Sequence, residues 1–194
     1  MKLEIKYQKR YSRGELLLRS IFGGIYIVLP HLFLLIFVSL WGSILSVISF
    51  WIVLFTGKYP QSFFEFQEGL YRWNLRLNAR ISNLSDDYPA FGINGKDEYT
   101  SLEIPYPERL SRGTLLLRFF LGAFYVILPH AFMLFFRTIA SSVLQFLAWW
   151  VVLFTAEYPQ SWHEFNVGTI RWGMRVNIYM SFMTDEYPPF SGKP

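Results

Sequence analysis

The sequence predicts an all-α integral membrane protein built as a tandem repeat. Each copy is expected to hold a transmembrane helical hairpin and an amphipathic interfacial helix, preceded by a short extended segment. Three observations predict this. The 194 residues are 53% hydrophobic and only 16% charged, where soluble domains run at about 25% charged. From Ser20 to Gly57 there are 38 residues without Asp, Glu, Lys or Arg. As a helix that stretch measures about 57 Å, nearly twice the bilayer core of about 30 Å. Finally, a shift of 99 residues aligns Leu3–Phe91 with Leu102–Phe190 without a gap, and 43 of the 89 positions are identical.

The first copy covers residues 1–97 and the second 98–194, joined across the polar, turn-prone segment Gly92 to Ser101. Each begins with alternating apolar residues, Leu3, Ile5 and Tyr7, then Leu102, Ile104 and Tyr106, which predict short extended segments able to pair. Pro105 and Pro107 restrict the second to an edge or irregular strand. Met1 to Arg19 is polar and basic with no cleavage pattern, so no cleaved leader is expected.

The hydrophobic stretch follows. In the second copy Arg137 divides it, and a charge is cheapest at the membrane–water interface. Arg137 therefore predicts a tight turn, matched in the first copy near Trp41-Gly42-Ser43. The expected spans are 18–38 and 42–57, then 117–137 and 140–156. Arg19 and Arg118 stand at the start of the first spans, where snorkelling is easy. Each hairpin ends at a stop, Thr-Gly-Lys-Tyr-Pro at 56–60 and Thr-Ala-Glu-Tyr-Pro at 155–159. Beyond it Phe66, Leu70, Trp73, Leu77, Ile81 and Leu84 form a stripe at helical spacing, predicting an amphipathic helix over 62–84. Its counterpart is expected over 161–183. With these helices at the interface, nearly all basic residues fall on one side, which predicts cytoplasmic termini. A third true span per copy, giving inverted repeats, is the competing plan.

Candidate functional residues come in pairs. Pro30-His31 and Pro129-His130 place a bend and an ionisable ring inside the hydrophobic stretch, a position that calls for a functional hypothesis. The roles open to these histidines are a hydrogen bond to a carbonyl freed by the bend, transport or metal binding, and haem or quinone contact. Arg72, Trp73 and Arg76, with Arg171, Trp172 and Arg175, suit binding of a lipid phosphate or a partner carboxylate. Tyr59-Pro60, Asp86, Tyr88-Pro89, Tyr158-Pro159, Asp185 and Tyr187-Pro188 are expected in loops and packing. No catalytic or metal-ligating residue is predicted. Cysteine is absent, which removes thiolate chemistry, and no nucleotide-binding or hydrolase motif is present.

Leu-Pro-His, then Leu-Phe-Thr-Gly-x-Tyr-Pro, Phe-x-x-Gly-x-x-Arg-Trp-x-x-Arg and Asp-x-Tyr-Pro-x-Phe together resemble a bacterial membrane family, domain of unknown function 4389. The residues that carry the resemblance are Leu29-Pro30-His31, Leu54 to Gly57, Phe66, Gly69, Arg72-Trp73, Arg76, Asp86, Tyr88-Pro89 and Phe91, and their mates 99 residues on. Ala156 departs from the glycine, which implies a turn that need not be glycine-specific. The resemblance implies a bacterial inner-membrane location and brings no activity. The expected role is a non-enzymatic accessory or scaffold subunit of a larger membrane complex, without a cofactor. Its expected contacts are anionic lipids and other integral subunits or a second copy, with no nucleic acid. The alternatives are an oligomeric small-solute or lipid transporter or channel, and a haem- or quinone-contacting electron-transfer subunit.

Overall fold

The computed structural model describes residues 1–194. Each copy has the order strand, long helix, shorter helix. The first comprises β1 (Lys2–Ile5), α1 (Arg13–Gly23), a π-helical turn (Gly24–Val28), α2 (Leu29–Thr56) and α3 (Gln61–Ile81). The second comprises β2 (Thr100–Glu103), α4 (Arg112–Gly122), a π-helical turn (Ala123–Ile127), α5 (Leu128–Thr155) and α6 (Gln160–Met180). The entry helices start alike, with Ser12 Oγ accepting from Glu15 N and Ser111 Oγ from Thr114 N, both at 3.2 Å. These side chains satisfy amide groups that a helix start leaves without partners.

The predicted extended segments form and pair with each other. β1 and β2 are antiparallel, with Leu3 opposite Leu102 and Lys2 opposite Glu103. Leu3 and Leu102 are mates in the repeat, so the pairing places an approximate two-fold axis between the copies. Reciprocal contacts bear this out. Tyr7 donates to Tyr158 O and Tyr106 to Tyr59 O, while Arg13 donates to Phe154 O and Arg112 to Phe55 O. Each copy thus docks its N-terminal arm on the other. The 22-residue apolar core draws on both, with Leu3, Leu16, Val53 and Leu75 from one and Leu102, Leu115, Val152 and Met174 from its mate.

The hydrophobic stretch departs from expectation. Arg13–Thr56 and Arg112–Thr155 are each one unbroken helical run of 44 residues, and both are long and apolar enough to cross a membrane. No turn interrupts them near 38–42 or 137–140, so the turn expected there is absent and each pair of expected spans lies within one helical run. Gly42 lies inside α2 because α3 approaches it closely: an added Cβ would meet Leu70 Cδ2 at 3.1 Å. Arg137 lies inside α5 because its charge is turned inward. It donates to Thr169 Oγ1 at 3.0 Å and stands 4.2 Å over the Phe165 ring. A charge in this stretch thus marks a contact with α6, not an interface.

The helical hairpin of each copy closes later, at Gly57–Pro60 and Ala156–Pro159, where α3 folds back along α2 and α6 along α5. Gln67 Nε2 donates to Gly42 O at 2.5 Å and to Ser46 Oγ at 2.8 Å. Both turns need a left-handed residue, supplied by Gly57 with φ +73° and by Ala156 with φ +62°. The expectation that Ala156 releases this turn from a glycine conformation is therefore wrong. The side chain costs about 1–2 kcal/mol in that region. Ala156→Gly should raise the unfolding free energy by about 1 kcal/mol, measurable by denaturant titration in detergent.

The axis also fixes heights. Tyr11 N donates to Ala156 O and Leu110 N to Gly57 O, each at 2.8 Å. Mates stand at equal heights along a two-fold axis, and Ala156 is the mate of Gly57. The beginning and end of each 44-residue run therefore lie at nearly one height.

Candidate functional site

The repeat builds the same buried cluster twice, beside the π-helical turn in each long helix. Pro30 and Pro129 lack an amide hydrogen, so a carbonyl one turn earlier loses its helical donor. The hydroxyl of Tyr88 donates to Tyr26 O, and that of Tyr187 to Tyr125 O, both at 2.9 Å. The freed carbonyl expected to engage histidine is thus served by tyrosine. His31 Nδ1 accepts from Trp73 Nε1 at 2.8 Å, and His130 Nδ1 from Trp172 Nε1 at 2.8 Å. Phe91 lies flat on His31 and Phe190 on His130, with ring centroids 3.9 Å apart in each pair. Both imidazoles are fully buried. An Nδ1 that accepts places the proton on Nε2, and that nitrogen has no partner in either copy.

Trp73 and Trp172 are therefore core residues rather than headgroup anchors. The arginines beside them fasten chain segments to the helices. Arg76 donates to Ala90 O at 3.1 Å and to Gly92 O and Gly95 O at 2.6 Å, holding the segment that leaves the cluster. Arg175 does the same through Lys193 O at 2.8 Å. Arg72 donates to Leu102 O at 2.8 Å and Arg171 to Leu3 O at 3.0 Å, each reaching the strand of the other copy. Burial lowers the pKa of Arg76 and Arg171 from the ordinary guanidinium value. Gly69 lets this packing close, since an added Cβ would come within 2.8 Å of Ile93 Cβ.

Arg19 and Arg118 do not snorkel. Arg19 donates to Asn83 Oδ1 at 2.6 Å and Ser85 O at 3.0 Å, and its guanidinium faces Asp86 at 3.7 Å. Arg118 is 1% exposed. It donates to Tyr179 O at 2.7 Å, Thr184 O at 2.6 Å and Asp185 Oδ1 at 2.6 Å. Asp86 and Asp185 reach across to Ser12 N and Ser111 N, at 2.6 Å each, the residues that open α1 and α4. Tyr59 and Tyr158 are buried, and Pro60 and Pro159 cap the starts of α3 and α6. Tyr26, Tyr125 and Glu15, which pairs with the buried Arg80, belong to this network without having been singled out in the sequence. Tyr26 and Tyr125 had a signal, four residues before each proline.

A buried histidine departs from the repeat. His163 stands where the first copy has Phe64, 5.4 Å from the Tyr7 ring and 5.9 Å from the Tyr158 ring. Burial pulls its pKa from 6.5 to about 4. The unfolded chain then binds a proton below about pH 6.5 that the folded chain refuses until about pH 4. Stability should fall as pH drops through that window. His163→Phe should remove about 1–3 kcal/mol of this loss, seen as a flatter acid limb in unfolding titrations.

No group of three or more His, Cys, Asp or Glu side chains converges in the chain. The arrangement is one of packing and fastening, with the histidine–tryptophan–phenylalanine cluster and the tyrosine on the freed carbonyl duplicated across the axis. The family described as domain of unknown function (DUF4389) matches residues 15–92 and 113–192. Comparison with curated proteins and with solved structures gave no match.

Proposed function

Because the chain belongs to the DUF4389 family as two tandem copies, a family of unknown function, we propose its role from its surface and its interior. It is a non-enzymatic scaffold subunit of a bacterial inner-membrane assembly, seated among anionic lipids and packing its long helices against those of partners. The observation that carries this is the outer face of those helices. Ile21, Ile25, Phe55, Phe120, Phe124 and Phe154, toward the ends of the runs, are all about 70% exposed, and Ile36, Phe37, Phe135 and Phe136 between them are more than half exposed. Soluble monomers rarely present so large an apolar face.

Four hydroxyls on that face are satisfied within their own helix. Ser43 donates to Ser39 O, Thr56 to Ile52 O, Ser142 to Thr138 O and Thr155 to Val151 O, at 2.7–2.9 Å. A surface meeting hydrocarbon needs this, because lipid offers no partner. The interior supports scaffolding over transport or electron transfer. Each histidine is sealed between a tryptophan and a phenylalanine, and its Nδ1 is already engaged. The arginines expected to receive lipid at 76 and 171 hold backbone carbonyls instead.

With the two-fold axis along the membrane normal, both ends of each long run face one side, the cytoplasm by the charge rule. Single cysteines at Lys9 and Lys58 should label from that same side in spheroplasts and inverted vesicles. Labelling from opposite sides overturns this orientation. Purification in gentle detergent should recover other integral membrane chains in stoichiometric amounts. Recovery as a lone monomer or homo-oligomer sinks the scaffold role.

A further inference from the structure

The two copies differ at one junction where symmetry demands likeness. Between α2 and α4 lies an open apolar groove of about 450 Å³, lined by Phe50, Trp51, Leu54, Leu116, Phe119 and Phe182 among others. It follows α2 from Leu54 to Ser46, about 12 Å at the helical rise. The Phe50 ring stands 4.9 Å from Phe119 and 5.5 Å from Phe182. Phe182 holds φ at +62°, an uncommon conformation for a bulky residue, and its ring forms part of the wall.

The mate junction, between α5 and α1, is built otherwise. Trp149 replaces Phe50, Ser20 replaces Phe119 and Asn83 replaces Phe182. Trp149 Nε1 donates to Ser20 Oγ at 2.8 Å, so the indole bridges the helices and takes up space that the phenyl ring leaves open. The charged side chains at the two ends are arranged differently as well. At the end of α2, Arg112 donates to Phe55 O at 2.7 Å. Arg109 lies against Gly57, where an added Cβ would meet its Nε at 3.4 Å. Lys58 follows, exposed. None of the three takes part in an ion pair. The other end carries Arg10, Arg13 and, in place of Lys58, Glu157. At that one position the charge changes sign, while Glu108 and Lys9, next to the arginines, are exchanged in the opposite sense.

We infer that the α2–α4 groove holds an acyl chain of one anionic phospholipid, whose phosphate meets Lys58, Arg109 and Arg112, and that the molecule has one such site rather than two. The volume falls within the range of small-ligand pockets, about 300–1,000 Å³, and an apolar slot beneath a basic mouth matches a charged head on a hydrocarbon tail. A partner helix would gain little from the basic mouth, and a zwitterionic lipid would gain less than an anionic one. The inference rests on the membrane reading proposed above, and the experiment separates the two.

Native mass spectrometry of the full chain in detergent, with added phosphatidylglycerol or phosphatidylcholine, should show one phosphatidylglycerol retained, with phosphatidylcholine at least tenfold weaker. Phe50→Trp with Phe119→Ser, which copies the mate junction, should abolish the adduct. Lys58→Glu should bring phosphatidylglycerol to the level of phosphatidylcholine without touching the groove, and serves if the double variant fails to fold. Equal retention of the two lipids, two lipids per chain, survival of the adduct in the double variant, or displacement of lipid by a second copy of the chain would each overturn the inference. Flotation with phosphatidylglycerol vesicles reports the broader reading. A chain that floats without a specific adduct keeps the membrane reading and loses the site; one that stays at the bottom loses both.

Discussion

Arg118→Leu should destabilise the protein by about 3–5 kcal/mol, the range for removing one partner from a buried charge network. Leucine keeps the apolar stem and discards five donors. Left behind are Thr184 O, Tyr179 O and the Asp185 carboxylate, all of which the guanidinium now serves. Asp185 also holds Ser111 N at the start of α4, so the entry turn loosens with it. The guanidinium stands 4.5 Å over the Tyr179 ring as well, and that contact goes too. Arg118→Lys should recover only part of the loss, since one ammonium cannot reproduce the planar fork. The effect is read from the midpoint of denaturant unfolding in detergent micelles. A change below 1 kcal/mol would show that Arg118 is solvated and that its buried placement is wrong.

Trp73→Ala should cost about 3–5 kcal/mol, as expected for deleting a buried tryptophan. Trp73→Phe should cost about 1–3 kcal/mol, because it mainly strands His31 Nδ1 without its donor. The same pair of changes at Trp172 should give matching values, since His130 and Phe190 repeat the geometry. Combining Trp73→Phe with His31→Leu should cost less than the two single changes summed, because the orphaned acceptor disappears. Strict additivity would mean that the indole and imidazole do not share a hydrogen bond. Tryptophan-to-phenylalanine changes also alter fluorescence, so the unfolding midpoints are best followed by circular dichroism.

The repeat itself, the extended segments and the helix after each Tyr-Pro stop were legible from residue pattern, because duplication and periodicity are local properties of the chain. The division of the long run was not. Arg137 resembles an interfacial charge until Thr169 and the Phe165 ring stand beside it, and those partners lie about 30 residues away. The residue pattern assigns Trp73 and Arg76 to different faces of an amphipathic wheel, although both turn out to be buried. The wheel assumes one wet face, but α3 is covered on one side by α2 and on the other by β2 and residues 90–95. The prolines did announce a freed carbonyl. That Tyr88 and Tyr187 would satisfy it depended on a chain reversal that only the tertiary structure displays.

The exchange of N-terminal arms has a consequence for when the protein can form. Tyr7 awaits Tyr158 O, and Leu3 O awaits Arg171. Those partners are made more than 150 residues after the arm that needs them. Loop closure grows dearer with length, though slowly, and contacts so distant in sequence slow the search for the native state. The first copy therefore stands incomplete throughout synthesis of the second, its arm undocked and Arg13 without its acceptor at Phe154 O. Completion is a single late event that joins both copies, and any agent that grips the arm of a nascent chain would act before that moment or not at all.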